Sequence, residues 1–193
     1  MQKIITRYLW ITVVLFIAGC DIFQTRDPEK PVTGRSSYVL PSTPELVVQN
    51  ITNSLKEKNL QDYMSCFVDS VYSQKNYRFI PSTEAAARYP VFFNWTLKSE
   101  SGYFNNVKSK LSTTDVISIV FNTGTVTRYA DSAQYIGQYL LTIPQKNASL
   151  LRYEGQLRFT MIPGNGYAWV ISAWEDFKSG SGDSWSDLKG LNY

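Results

Sequence analysis

The sequence predicts an α+β fold, in which N-terminal helices pack on an antiparallel four-stranded meander. Two observations predict this class. Up to Val107 the apolar residues recur mainly at the spacing of one helix face, and beyond Val107 they alternate with a period of two. The β segments that follow are joined by short connections, which favour antiparallel pairing between strands that are consecutive in the chain.

The first helix is predicted to begin at Pro44. Thr43 suits the N-cap, Pro44 suits the first helical position, and Glu45 lies in the first turn near the positive end of the helix dipole. The buried face of this helix is marked by Val47, Val48, Ile51 and Leu55. A short second helix follows, with an apolar side formed by Leu60, Tyr63, Met64 and Phe67.

A short strand and a longer helix complete the N-terminal half. Residues 77–80 are predicted to form a strand that ends before Pro81, and Ser82 begins another helical region. Pro90 interrupts that region, and residues 91–106 are predicted to form one helix. Its buried side chains are expected to be Phe92, Trp95, Tyr103 and Phe104.

The C-terminal half is predicted to be a sheet. Its β segments are 117–122, 126–143, 150–162 and 167–178, separated by turns at 123–125, 144–148 and 163–166. The third segment alternates most regularly and is predicted to face inward through Leu151, Tyr153, Gly155, Leu157, Phe159 and Met161. Its outward side chains are Arg152, Glu154, Gln156, Arg158 and Thr160.

The phase of the last strand depends on the length of the preceding loop. An even-numbered loop would turn Val170, Trp174 and Asp176 inward, whereas a three-residue loop would turn Trp169 and Glu175 inward. One even-loop register also predicts two cross-strand neighbours, Gly155 with Trp174 and Glu154 with Glu175.

The N-terminus indicates an exported protein. Lys3 and Arg7 precede an apolar run that ends in Ile17-Ala18-Gly19-Cys20. About eleven apolar residues span about 16 Å as a helix, about half of a bilayer's hydrocarbon core, so the run is predicted to be a removable signal. Its last four residues resemble the lipobox of bacterial lipoproteins, which implies that Cys20 becomes a lipidated N-terminus. An ordinary signal peptide with an incidental cysteine is the alternative.

Four parts are therefore predicted along the chain. Residues 1–19 are a signal peptide, 20–41 a lipidated N-terminus with a flexible tether, 42–178 one α+β domain and 179–193 a C-terminal tail. The tether is rich in proline, glycine and charge, and would reach about 25 Å. The tail carries Trp185, Leu188 and Leu191 and is expected to dock on the domain, because an exposed tryptophan is unfavourable. A partner-binding peptide is the alternative.

The protein is expected to be membrane-anchored through its lipid and to face the periplasm or the cell exterior. Asp21, directly after Cys20, favours the inner membrane under a sorting rule of some bacteria, but the choice of membrane stays open. The chain has 19 Lys+Arg and 16 Asp+Glu. Because removal of the signal takes away Lys3 and Arg7, the mature chain is nearly neutral, and no nucleic-acid partner is expected.

Two stretches carry a resemblance to a known superfamily. The segments TPELVVQNITNSLKEKNLQDYMSCFVD and GYAWVISAWED, with the order of elements from Ser42 to Lys178, resemble the nuclear-transport-factor-two-like superfamily, which includes SnoaL-like and ketosteroid-isomerase-like proteins. The resemblance implies a cone-shaped, cystatin-like fold with helices on the concave side of a curved sheet and a pocket at the wide end. Members include enzymes, binding modules and interaction domains, so the resemblance selects no function.

Aromatic side chains at inward positions are the candidates for lining such a pocket. They are Tyr63, Phe67, Phe79, Phe92, Trp95, Tyr129, Tyr139, Tyr153 and Trp174. Filling of the core by these side chains is the alternative. Asp176 and Tyr153 are the weak candidates for catalysis, as an acid–base carboxylate and a phenol donor on one face of the sheet.

The function expected from these residues is non-catalytic binding of a small apolar ligand or an envelope protein. A small isomerase or hydratase-like enzyme is the alternative, limited by the absence of histidine. No metal and no cofactor are expected. Cys66 is expected to be buried and unreactive. The outward residues from Arg152 to Arg158 are expected to be solvated, with a homodimer surface as the alternative.

Overall fold

The computed structural model describes residues 36–146 and 149–193. The predicted signal peptide, the lipobox with Cys20 and most of the predicted tether lie outside these residues. Within the described ranges, no helix is both long enough and apolar enough to cross a membrane.

The first helix begins where its capping residues predict. Helix α1 spans Pro44–Glu57, with Thr43 as an extended N-cap and Pro44 as its first residue. Its inward side chains Val47, Ile51 and Leu55 are at most 2% exposed. Lys58 ends the helix in the left-handed conformation with φ 53°, and its Nζ donates to backbone carbonyl oxygens of the loop that precedes the large sheet.

Short elements follow α1. Helix α2 spans Leu60–Met64, α3 spans Ser70–Ser73, strand β1 spans Arg78–Ile80 and helix α4 spans Thr83–Arg88. The side chains of Asn59 and Asp69 cap α2 and α3 by accepting a hydrogen bond from a backbone N–H two or three residues ahead. These caps satisfy amide groups that a short helix leaves unpaired.

The prediction of one helix over 91–106 is wrong. A 3-10 helix spans Pro90–Asn94, and a separate helix, α5, spans Leu97–Ser109. The chain between them is extended because Thr96 is the N-cap of α5 and exchanges hydrogen bonds with Ser99 in a capping box. The predicted burial is confirmed, with exposures of at most 9% for Phe92, Trp95, Tyr103 and Phe104.

One mixed sheet of five strands forms the rest of the domain. Strands β2 (Ser118–Arg128), β3 (Ala133–Pro144), β4 (Leu150–Pro163) and β5 (Trp169–Lys178) pair antiparallel in chain order. The predicted α+β class and meander are confirmed. The sheet also gains an edge strand, because β1 pairs parallel with β5.

The first hairpin reverses later than predicted. The segment 123–125, predicted as a turn, is a bulge inside β2, and the reversal lies at 129–132. A Cβ on Gly124 would lie 2.1 Å from Oη of Tyr135 on β3. This glycine therefore allows close packing of a ring across the bulge rather than chain reversal.

The alternation predicted along β4 is confirmed. Tyr153, Leu157, Phe159 and Met161 are at most 3% exposed, whereas Leu151 near the strand end is 36% exposed. On β5 a bulge changes the phase: Met161 pairs with Ile171, but Phe159 pairs with Trp174. Trp174 and Asp176 therefore face inward as the even-loop alternative predicts, while Ile171 takes the inward position that was predicted for Val170.

The two predicted cross-strand neighbours are wrong. The β4–β5 loop is longer than predicted, since Pro163 pairs with Trp169, and the bulge adds one residue more, so Gly155 lies opposite Lys178 and Glu175 lies opposite Arg158. Instead of two facing carboxylates, this part of the sheet has an ion pair in which Arg158 Nη1 is 3.2 Å from Glu175 Oε2.

The residues directly ahead of α1 lie on the domain. Asn50 accepts from Val39 N and donates to Val39 O, and Trp169 N donates to Pro41 O at 2.8 Å. Residues 39–41, which the sequence assigns to the tether, therefore contact the domain. The helices pack on this curved sheet, and we call the space that they enclose with it the cone interior.

Candidate functional site

The C-terminal tail enters the cone interior. After β5, Gly180 turns the chain with φ 71°, and Glu154 N then donates to Asp183 O at 2.9 Å, which aligns the tail with the start of β4. The chain continues into helix α6, Trp185–Leu191. Trp185 and Lys189 are completely buried. The space in which the sequence predicts a ligand is thus filled by the chain's own helix.

Two carboxylates hold the N-terminus of α6. Asp187 accepts from the backbone N and Oγ of Ser184 at 2.9 and 3.2 Å, and from Arg88 at 2.9 Å. Asp176 accepts from the backbone N and Oγ of Ser186 at 2.8 and 2.5 Å. A helix of 7 residues has little stability of its own, and negative charge near its first turn stabilises it.

Tyr139 connects Asp176 to the backbone of α6. Its hydroxyl donates to Asp176 Oδ1 at 2.7 Å and accepts from Trp185 N at 2.7 Å. Gly155 lies opposite Tyr139 on β4, and a Cβ there would lie 2.7 Å from Tyr139 Oη. Because Gly155 has no side chain, the phenol ring of Tyr139 can lie over β4 at this position. Burial raises the pKa of Asp176, and the hydrogen bonds from Ser186 and Tyr139 oppose that rise.

A third buried carboxylate belongs to Glu100 of α5. Lys189 Nζ donates to Glu100 Oε1 at 2.6 Å, and neither side chain is exposed. Glu100 also accepts hydrogen bonds from Tyr63 at 2.6 Å, Trp95 at 2.8 Å and Tyr77 at 3.2 Å. Burial lowers the pKa of Lys189 to about 8, although the charge of Glu100 favours the ammonium form.

Aromatic rings surround the ammonium group of Lys189. Its Nζ lies 3.5 Å from the ring centroid of Trp174 and 3.9 Å from that of Phe79. The rings of Trp95 and Tyr103 lie at 5.7 and 5.6 Å. Aromatic faces carry partial negative charge and attract cations at these distances. We call these four rings together with Glu100 the ammonium cage.

A groove lies outside the filled interior, between the end of α5, the β3–β4 hairpin and α6. Its volume is about 630 Å³. Apolar lining comes from Val107, Leu111, Ile143, Pro144, Leu151, Leu188 and Leu191. Lys110 and Lys146 also line it, and its described lining contains no carboxylate side chain. We call this space the mouth groove.

Most of the predicted pocket residues meet in the cone interior, but as packed core. Each of Tyr63, Phe67, Phe79, Phe92, Trp95, Tyr139, Tyr153 and Trp174 is at most 9% exposed. Tyr129 is outside this group, because it lies in the β2–β3 turn and is 54% exposed. Only Tyr153 of the buried set also borders the mouth groove.

Asp176 and Tyr153 do not form the predicted acid–phenol pair. Tyr153 lies opposite Leu141, beyond the last residue of β4 that pairs with β5, so its phenol is not the hydroxyl that Asp176 binds. Cys66 is completely buried, and burial raises the pKa of its thiol. Within the described ranges, no three acidic, cysteine or histidine side chains converge as a metal site would require.

The sequence analysis did not select Glu100 and Lys189, although the helical spacing of each residue relative to its apolar neighbours indicates burial. Glu100 shares the helical spacing of the buried residues Tyr103, Phe104 and Val107. Lys189 lies four residues after Trp185, on the same buried helix side as Leu188. A charged residue on an apolar helix stripe indicates a buried partner.

Comparison with known proteins gives a match in structure alone. No family model and no curated protein matches this sequence. A proposed dehydratase of the NTF2-like family from Streptomyces avermitilis superposes with a TM-score of 0.55, at 6% identity, over 71% of this chain and 94% of that one. An NTF2-like superfamily protein from Salmonella enterica gives 0.52 at 9% identity, over 70% and 87%.

A third structure carries both fold names. It is an NTF2-like protein with a cystatin-like fold from Novosphingobium aromaticivorans, with a TM-score of 0.51 at 9% identity over 70% of this chain and 79% of that one. The domain has an NTF2-like fold. At such low identities the likeness shows the fold alone, and a fold does not select a function.

Proposed function

We propose that this chain is a lipid-anchored, non-catalytic binding domain that takes an anionic, single-chain amphiphile in its mouth groove. One observation carries the non-catalytic part of the proposal. Both carboxylates that face the cone interior, Glu100 and Asp176, are bonded to the chain's own tail. A general acid or base must reach a substrate, and these groups are at most 2% exposed.

The mouth groove supports the binding part of the proposal. Leu151 and Leu191 are 36% and 56% exposed there, so apolar surface is open to a ligand. Burial of an acyl chain against such surface contributes about 25 cal/mol per Å². Lys110 and Lys146 supply positive charge at the same groove, and this charge is complementary to a carboxylate or phosphate headgroup.

The anchor in this proposal rests on the sequence Ile17-Ala18-Gly19-Cys20. Mass spectrometry of the mature N-terminal peptide is expected to find acyl groups on Cys20. The Cys20→Ser variant is expected to leave the membrane fraction. A mature chain that begins at another residue, or a Cys20→Ser protein that stays membrane-bound, would contradict the anchor.

Titration calorimetry with laurate tests the groove. The folded domain is expected to bind one laurate, and Leu151→Glu is expected to abolish that binding. Leu150→Glu is the matched control, because Leu150 is 57% exposed but is not part of the groove lining. The double variant Lys110→Ala/Lys146→Ala is expected to bind several-fold more weakly. Absence of laurate binding, or equal loss in the two glutamate variants, overturns the proposal.

A further inference from the structure

We propose that the cone interior is a recognition site for a primary ammonium group on a short alkyl chain, occupied in cis by Lys189. This site is separate from the mouth groove and goes beyond the proposed function. Its parts come from both layers of the fold: the helical side supplies Glu100, Trp95 and Tyr103, and two neighbouring strands of the sheet supply Phe79 and Trp174.

The geometry fits an ammonium ion in two respects. Charge is matched by one carboxylate, since Glu100 Oε1 is 2.6 Å from Nζ and its other oxygen is committed to Trp95 and Tyr77. Shape is matched by rings, since the centroids of Trp174 and Phe79 lie within 4 Å of Nζ, at 3.5 and 3.9 Å. Once water is excluded, an ammonium group is stabilised by a hydrogen-bond acceptor and by the faces of aromatic rings.

The four rings and the carboxylate of the cage belong to residues outside the tail, although Trp185 of the tail packs on Trp174 and donates a hydrogen bond to Tyr103. Tyr63 and Tyr77 fix the carboxylate of Glu100 through hydrogen bonds that do not involve α6. Phe79 and Trp174 pack edge to face with centroids 5.7 Å apart, again without α6. The carboxylate and the Phe79–Trp174 ring pair are therefore held by contacts that do not involve Lys189, which favours binding of an ammonium group there.

The tail is joined to the domain by a short glycine- and serine-containing linker, so that its helix can bind as a ligand would. Residues 179–182 are Ser-Gly-Ser-Gly, and Gly180 has a positive φ of 71°. The helix that carries Lys189 has only 7 residues and is fixed by side chains of β3, β5 and α4. Lys189 therefore enters the cage from a short segment on a flexible linker, much as a lysine of a separate bound peptide would.

Chemical complementation tests the proposal in the full chain. The variant Lys189→Ala removes Cγ, Cδ, Cε and Nζ, which together correspond to n-propylammonium. Its thermal midpoint is expected to fall, and n-propylammonium chloride is expected to raise it in a saturable manner. Wild type, whose cage is occupied, is expected not to respond, and neither is Lys98→Ala, which changes an exposed lysine on the same helix as Glu100.

Neutral 1-propanol at the same concentrations separates recognition of charge from filling of a cavity. The proposal expects a much smaller midpoint shift with the alcohol than with the ammonium salt. Equal shifts with both compounds, or equal shifts in wild type and Lys189→Ala, overturn it. If Lys189→Ala does not fold alone, its refolding yield from denaturant is measured with and without n-propylammonium. Recovery with the ammonium salt supports the site, and failure in both conditions contradicts it.

Discussion

Lys189 of α6 and Glu100 of α5 form an ion pair with no exposed surface, in which Nζ and Oε1 are 2.6 Å apart. The two residues are 89 positions apart in the chain, so the pair ties the tail to the helical layer. Removal of one partner of a buried pair costs about 3–5 kcal/mol, because the other charge stays buried without compensation. The stability of this domain therefore depends on its last helix.

Lys189→Met is expected to lower the free energy of unfolding by about 3–5 kcal/mol, measured by chemical denaturation. The double variant Glu100→Gln/Lys189→Met is expected to recover a large part of this loss. It contains no buried charge at this site, and the glutamine oxygen can still accept from Tyr63. Strictly additive losses in the two single variants and the double variant would show that the residues are not coupled.

Gly190 and Gly102 offer a matched pair of helical glycines. A Cβ on Gly190 would lie 2.4 Å from the ring of Tyr89, whereas a Cβ on Gly102 would have no neighbour within 4 Å. Gly102→Ala is expected to stabilise the domain by about 0.5–1 kcal/mol through helix propensity. Gly190→Ala is expected to destabilise it despite the same gain, because α6 must move away from α4. Thermal unfolding measures both, and stabilisation by Gly190→Ala contradicts the docked position of α6.

Tyr139→Phe is expected to cost about 1–3 kcal/mol of unfolding free energy. The change leaves Asp176 Oδ1 and Trp185 N without the hydroxyl that joins them. Tyr129→Phe is the control, since Tyr129 is 54% exposed and its variant is expected to change stability by at most about 0.5 kcal/mol. Equal effects of the two substitutions in urea denaturation would contradict the role given to Tyr139.

The pKa of Lys189, lowered by burial to about 8, predicts a pH dependence of stability. Between about pH 8 and 10 the unfolded chain binds a proton on this lysine that the folded chain has released. The free energy of unfolding is therefore expected to rise with pH in this window and to fall as the pH drops through 8. The double variant Glu100→Gln/Lys189→Met is expected to lack this rise.

Other ionisable groups surround the same ammonium and set the limits of that experiment. Above about pH 10 the tyrosines oppose the rise, since burial raises their pKa values and only the unfolded chain ionises them readily. Denaturation curves from pH 7.5 to 9.5 separate the effects. The groups near Lys189 are Glu100, Asp176, Tyr63, Tyr77 and Tyr103.

Local patterns in the sequence predict much of this fold. The period of two along β4 sets its buried face, and the Thr43-Pro44 pair sets the start of α1. The parallel pairing of β1 with β5 was not predictable, because contacts between distant segments leave no local pattern. The sequence around Gly124 predicts a turn because glycine serves both turns and close packing, and only the position of Tyr135 distinguishes the two.

The residues that line the cone interior were predictable from the sequence, but the segment that fills it was not. Inward aromatic positions such as Trp95, Tyr139 and Trp174 follow from spacing, and they do lie together. Whether they enclose a ligand or a piece of the chain depends on the path of the tail after Gly180, which the sequence does not specify. The buried charges of Glu100 and Lys189 become visible only when each is placed on an apolar helix stripe.

Proton NMR of the Lys189 side chain tests the central claim, that the tail helix fills the cone, most directly. With Nζ 3.5 Å from the ring centroid of Trp174, the ε-methylene protons of Lys189 are expected far upfield of those of exposed Lys98. They are also expected to show nuclear Overhauser contacts to the Trp174 ring. Lys189 resonances at the shift of Lys98, with no contact to Trp174, would contradict the account.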